Sequence, residues 1–337
     1  MIPLLTYLYF ENSTMEFRKE LIIRPFKHKI DFKDKILLIG SCFSDNLGEK
    51  LRHFKFDVRI NPNGTLFNPV SISKALSSYI ACKSYNPDDL FFHDDLWKSW
   101  DHHSQFSHRE QNEILRTINM SIQETHNLLK RSSWLIITLG SAWVYEKENG
   151  SVVANCHKVP TDKFRKRLLT ALETKAMLAD CIHELTSFNP SIRILFTISP
   201  VRHLRDGFIE NNRSKAVLIQ AVHDLLEEKN NIMYFPAYEF IIDDLRDYRF
   251  YAEDMVHPNY MATDYVWEKF QQSCINDRSL FYFKDINLIN AAKAHKPFQP
   301  DTAAHQQFRK KNYNLVKKLQ AELPELNWES DLEFFKD

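Results

Sequence analysis

Glycine is scarce in this chain, with six among 337 residues, at positions 40, 48, 64, 140, 150 and 207. Neither G-x-G-x-x-G nor G-x-x-x-x-G-K-[ST] can be assembled from them. The backbone loops that cradle dinucleotide or nucleoside-triphosphate phosphates therefore have no support. Cysteine is also sparse. Cys42, Cys82, Cys156, Cys181 and Cys274 make an odd set with no C-x-x-C. That argues against a disulfide framework or a cysteine zinc site, and for reduced thiols in a cytoplasmic setting. Net charge is absent, since 44 Lys and Arg balance 44 Asp and Glu. There is no general electrostatic case for nucleic acid. No apolar run approaches the roughly 20 residues a membrane helix needs, so no membrane role is expected. The apolar start "MIPLLTYLYFENSTMEF" carries neither a basic segment nor a small-residue cleavage site, which disfavours a signal peptide.

What is present is an alternation of short apolar runs with amphipathic stretches, the pattern of a parallel sheet covered by helices. Ile36–Ile39, Val58–Ile60, Trp134–Leu139, Ile192–Thr197 and Ile232–Phe235 read as buried strands. Helices are expected from Phe43 to Phe54, Val70 to Ile80, Gln111 to Leu129, Phe164 to Leu185, Asn212 to Glu228 and Asp264 to Cys274. Asn149-Gly150 between two β-prone runs predicts an inserted hairpin. Phe91 to His108 is aromatic and His-rich without clear period, and reads as an irregular insertion. Asp301 to Leu323 predicts a helix ended by Pro324. The expected organisation is a disordered extension over 1–15, an α/β domain over 16–275 and a helical extension over 276–337.

Two stretches carry chemistry. In "KILLIGSCFSDNLGEKL", Gly40-Ser41-Cys42 falls where a strand ends and a helix begins. Ligands gather at the carboxyl ends of parallel strands, and a thiol at a helix N-terminus feels the positive end of the dipole. Ser41 and Cys42 are both placed as nucleophiles, and both are also compatible with a helix cap beside a buried thiol. In "YAEDMVHPNY", Asp254 and His257 are three residues apart, a spacing that lets the carboxylate hold one ring nitrogen while the other faces a nucleophile. The two stretches follow the first and last core strands, on one edge of the expected sheet.

Other groups compete. Cys156 and His157 are neighbours that a strand would point to opposite faces. Arg202, His203 and Arg205 follow the fourth core strand, where they suit a substrate carboxylate or phosphate, or structural pairing with acids. His93, Asp94, Asp95, Asp101, His102 and His103 match no established metal-ligand spacing, so no metal is expected. Trp97, Trp100 and Phe106 suit sugar stacking or plain packing.

The motifs together resemble the GSCFA family, through Gly40-Ser41-Cys42-Phe43-Ser44, with Ser for the final Ala. The resemblance continues through "NPNGTLFNPVSI" (61–72), "ITLGSAWVY" (137–145), "NCHKVP" (155–160), "SPVRHLRDGFIENNRSK" (199–215) and "HPN" (257–259). It spans roughly residues 16 to 275. That family is grouped with SGNH, or GDSL-type, hydrolases. The resemblance implies a flavodoxin-like three-layer α/β/α sandwich of about five parallel strands and acyl-ester hydrolysis without a cofactor. A carbohydrate O-acetyl ester is the substrate class it implies, with acyl transfer from a CoA thioester or plain ligand binding as alternatives. Laid on the superfamily's Gly-Asp-Ser turn, Ser41 matches the Asp and Cys42 the nucleophile, while Asp254 and His257 match the late Asp-x-x-His. Gly64 matches an oxyanion-hole glycine. The usual Asn after the third strand is missing, so Ser141 or Asn68 would supply the remaining donor. Arg202, His203 and His157 are the expected substrate contacts. The oligomeric state is not specified.

Overall fold

The core runs are predominantly apolar, with Arg59 and Arg193 as charged exceptions, as strands covered largely on both faces require. In the computed structural model, which describes residues 18–229 and 231–336, these runs form β1 (Lys35–Gly40), β2 (Asp57–Ile60), β5 (Trp134–Leu139), β9 (Arg193–Ile198) and β10 (Ile232–Tyr234). All neighbours pair in parallel, in the order β2-β1-β5-β9-β10. Counting core strands alone, this is 2-1-3-4-5, the flavodoxin-like doubly wound order, with its switch point between β1 and β5.

Alternation along the strands divides the core in two. Ile36, Leu38, Trp134, Ile136 and Leu195 face one side, where they meet α1 (Cys42–His53) and the helices following β10. Leu37, Ile39, Leu135, Ile137, Ile194 and Phe196 face the other. There they meet α2 (Pro69–Ile80), α3 (Gln111–Leu129), α4 (Ala171–Phe188) and α5 (Gly207–Glu228). The result is an α/β/α sandwich of three layers.

The departures from expectation have local causes. The helix expected from Phe164 starts only at Ala171, where Thr170 and Glu173 form a reciprocal capping box. The preceding Arg165–Leu168 becomes a strand, β8, tied by Arg165 and Arg167 to Glu146. It extends the expected hairpin, β6 (Trp143–Glu146) and β7 (Val152–Val153), into an antiparallel sheet ordered β7-β6-β8. The stretch from Phe91 to His108 is more regular than its composition suggests. It contains a hairpin of β3 (Leu90–His93) and β4 (Leu96–Ser99), turned by Asp94 and Asp95. Both turn residues have positive φ, 49° and 57°, which the primed hairpin turn needs and which Asp tolerates better than most residues.

After β10 the chain forms α6 (Ala237–Glu239), a wider helical turn over Phe240–Leu245, then α7 (Tyr260–Cys274), started by the Asn259 side chain. The C-terminal region is helical: α8 (Asp277–Ala294), α9 (Ala303–Glu322) and α10 (Glu329–Phe335). Its Phe283, Ile286, Val316, Leu319 and Trp328 belong to the same buried cluster as β1 and α1. The extension expected over 1–15 lies outside the described residues. Among the described residues, no helix is long and apolar enough to cross a membrane.

Candidate functional site

The turn after β1 is built by close approach. Gly40 has φ +138°, and a Cβ there would lie 2.1 Å from the Thr138 carbonyl oxygen of β5. Its N–H donates to Asn61 Oδ1 at 2.8 Å, and its carbonyl accepts from Leu66 N–H at 2.8 Å. The loop after β2 is thus laced onto the end of β1. Ser41 N–H donates to Thr138 O, and its hydroxyl accepts from Phe43 N–H at 3.3 Å. Ser41 is fully buried and acts as the N-cap of α1. Cys42, the first helical residue, is a half-buried free thiol. Burial and the Asp45 carboxylate push its pKa up, while its own N–H, the positive charge of Lys215 and the N–H of Phe43 pull it down.

The second corner lies between β10 and α7. Asp254 Oδ1 accepts the N–H groups of Val256 and His257, at 2.9 and 3.0 Å, and Oδ2 meets His257 Nδ1 at 2.6 Å. Backbone and ring donation from His257, with the Val256 N–H, hold the Asp254 carboxyl down to about 2. Bonding at Nδ1 leaves Nε2 as the available ring nitrogen. Among the described residues no hydrogen bond joins His257 to the Cys42 sulfur.

Arg202 and His203 stand beside this corner. Arg202 donates its backbone N–H to Val256 O and stacks its guanidinium 3.9 Å from the Tyr251 ring centroid. Among the described residues it has no ion-pair partner, and its buried Nη1 has no hydrogen-bond partner. Structural ion pairing therefore does not explain it. His203 packs edge-on to Phe67, and its buried Nε2 is also without a partner. Burial, then Lys215 and His257, depress His203 to about 4.

Other expected contacts have different roles. Gly64 N–H is bound to Asn61 O at 2.7 Å, closing a turn at φ +74°, so it is not an open oxyanion donor. Ser141 uses its hydroxyl on Trp143 N–H and Ser214, and its N–H on Phe67 O. Asn68 Oδ1 caps α2 through Ser71 N–H; its NH2 remains a donor. His157 is turned into the insertion, where Nε2 meets Ser99 O at 2.8 Å and Phe91 and Trp100 pack edge-on against the ring. Cys156 and His157 lie in a turn rather than a strand, with His157 at φ +51°. Among the described residues, no group of three or more His, Cys, Asp or Glu could hold a metal ion.

Sequence reasoning assigned no role to one face of α5. Asn211 Oδ1 accepts His203 N–H at 2.9 Å, and Ser214 Oγ accepts Ala142 N–H at 2.7 Å. Lys215 Nζ donates to Gly140 O at 2.8 Å and Ser199 O at 2.7 Å. All three residues are buried. The signal was available, since polar residues at i, i+3 and i+4 fall on the face that an amphipathic helix buries.

The molecule is thus a doubly wound parallel α/β sandwich with a Gly-Ser-Cys turn after its first strand and an Asp-His pair after its last, both at the sheet's carboxyl edge. The family model described as "GSCFA family" matches residues 35–270, and the chain belongs to that family. A second model, "GSCFA domain protein, C-terminal domain", matches residues 286–337. No curated protein matches the chain.

Proposed function

We propose that the chain is an acyl-ester hydrolase of the SGNH type with Cys42 as nucleophile. The observation that carries this reading is the Asp254–His257 contact of 2.6 Å, on the sheet edge that also carries the exposed part of the Cys42 turn. Ser41 is buried and committed to the helix cap, which favours its neighbour as the attacking group.

In the proposed reaction, His257 Nε2 takes the thiol proton and Sγ attacks the ester carbonyl. The tetrahedral oxyanion collapses, the alcohol leaves with the proton from His257, and a thioester on Cys42 remains. Water, deprotonated by His257, attacks that thioester and restores the thiol. Asp254 fixes the ring tautomer throughout. Contacts between nucleophile and base are often loose in a free enzyme and tighten with substrate. The Cys42 N–H at the first position of α1 has no intrahelical acceptor and suits the oxyanion. The Asn68 amide is the second donor in this reading. Arg202 and His203 would meet the substrate, for which a carbohydrate O-acetyl ester is the favoured class. Acyl transfer to a sugar from a CoA thioester uses the same groups.

The engagement of Gly64 N–H and the Ser141 hydroxyl favours a second reading, a carbohydrate- or anion-binding protein with little turnover. Incubation with aryl acetates and thioesters, with mass spectrometry of the labelled peptide, separates them. The hydrolase reading expects turnover and an acyl group on Cys42, lost in Cys42→Ala and kept in Ser41→Ala. Labelling that follows Ser41 instead would refute the thiol mechanism. No turnover across the panel, with sugar-acetate binding by calorimetry, would establish the second reading.

A further inference from the structure

Arg202, in the loop after β9, is a cation held by rings instead of acids. Its guanidinium carbon lies 3.9 Å from the Tyr251 ring centroid, 5.2 Å from that of Tyr248 and 5.8 Å from that of Phe208. Aromatic contacts of this kind engage the face of a guanidinium and leave its N–H edge for an oxyanion. Among the described residues nothing in the chain takes that edge. The buried Nη1 has no acceptor, and the acids of the neighbouring turns are committed elsewhere: Asp254 to Val256 and His257, Asp247 to Arg249, and Asp206 to Lys166. A buried cationic donor without an acceptor is costly, and an apolar side chain would fill a three-ring cage without that cost.

Backbone contacts tie this cation to the Asp254–His257 corner. The Arg202 N–H donates to Val256 O at 3.2 Å, one residue before His257. Tyr251, whose ring the guanidinium stacks on, pairs with Pro258 across an antiparallel bridge, one residue after His257. Residues on both sides of His257 thus fix the arginine. The corner is also open to solvent. The Asp254 and His257 side chains are about half exposed, and Tyr248 and Phe208 are 58% and 54% exposed. His203, the next residue, brings its Nε2 against Gly140 at the end of β5, 3.4 Å from where a Cβ there would sit, and this nitrogen also lacks a partner. Two consecutive side chains therefore carry unfilled hydrogen bonds, one beside the corner and one against the end of β5.

We propose that Arg202 is a specificity-determining residue that binds an oxyanion, a carboxylate or a phosphate, carried by the ligand that docks at the Asp254–His257 corner. A guanidinium presents two parallel N–H groups to such an anion, which an ammonium cannot do. A carbohydrate acetate taken at this corner would then be an acidic one, with its charged group on Arg202 and its ester towards His257. The presence of an ester in that ligand rests on the proposed hydrolase reading; the anion site does not.

NMR of the isotope-labelled full chain tests this without any ester. Inorganic phosphate and succinate are titrated separately, with methyl glucoside as the neutral probe. The Arg202 side-chain N–H signal, assigned through its own backbone resonances, should shift and saturate with an anion and stay in place with the glucoside. The anion that saturates it at lower concentration gives the class. This titration uses the unaltered chain, so it stands even where a variant fails to fold. In Arg202→Lys, shown to be folded by its thermal melt, the same anion should bind about tenfold more weakly, and in folded Arg202→Met its binding should be lost. An Arg202 signal indifferent to both anions or moved equally by the glucoside, or anion binding as tight in Arg202→Met, would overturn the proposal. Ester kinetics separate it from the hydrolase reading. The ratio of kcat/KM for para-acetoxybenzoate to that for its methyl ester should fall about tenfold in Arg202→Met. Turnover with a ratio that Arg202→Met leaves unchanged would keep the hydrolase reading and retire this one. Anion binding at Arg202 in a protein that turns over neither ester would keep the anion site and retire the hydrolase reading.

Discussion

Ser41 and Cys42 are adjacent, yet the start of α1 gives them opposite chemistry. The cap position turns the serine inward to bind Phe43 N–H, while the first helical position leaves the thiol half open. Asp254 works by similarly local means, with two N–H groups on one oxygen and a ring nitrogen on the other. In the proposed mechanism, Asp254→Asn removes the tautomer control, and kcat/KM on the best acyl donor should fall by about 10²-fold or more. A rate within threefold of the parent would remove Asp254 from the mechanism. His203 carries a pH-dependent cost. Its imidazole is buried and depressed to about 4, against roughly 6.5 when unfolded. Between these values the unfolded chain binds more protons, so stability is fully present above the unfolded value and is lost as pH falls towards 4. His203→Gln should flatten that fall by roughly 1–3 kcal/mol in denaturant titrations at pH 7 and pH 4.5.

At the scale of elements, the carboxyl edge of the sheet is held by side chains and loops rather than by the strands alone. Asn61 holds Gly40, Phe67 O receives two N–H groups from the loop after β5, and α5 stitches the ends of β5 and β9 from one face. The tightest point is Gly40, where any side chain meets backbone of the neighbouring strand in a conformation L-residues rarely adopt. Gly40→Ala should therefore cost about 3 kcal/mol or more, seen as a lowered denaturation midpoint, or abolish soluble expression. Gly150→Ala meets nothing within 4 Å and carries only the strain of its φ of +78°, so its loss should be about 1–2 kcal/mol.

At the scale of the whole molecule, the C-terminal helices complete one face of the sandwich. Phe283 of α8 stacks on Phe54 with ring centroids 3.7 Å apart, and Trp267 and Phe56 lie beside the same ring. The Lys55 and Lys293 amines converge on the buried Asp331 carboxylate, which ties α10 to the segment after α1 and to α8. Removing residues 276–337 would uncover this aromatic cluster. The truncated chain should bind a hydrophobic dye strongly and aggregate, and a monomeric truncation with an unchanged melting temperature would contradict the shared core.

The core strands were legible because burial on both faces imposes a predominantly apolar run, and Gln111 to Leu129 was legible because a helix with one buried stripe writes that stripe at its own period. The Asp254–His257 contact was legible because it joins residues three positions apart, whereas the close approach of Thr138 and Asn61 to Gly40 was not. The hairpin at Asp94 and Asp95 was hidden because its turn contains no glycine, and β8 because its partner, β6, lies about twenty residues away. Gly64 and Ser141 were candidate donors in sequence, but only the folded chain could reveal that Asn61, Ser214 and Trp143 had already claimed them. Lys215 is the clearest case. Sequence alone placed it in a helix, expected from Asn212 to Glu228. Only tertiary structure decided that this face meets the ends of two strands, because what a buried charge touches depends on segments far apart in the chain.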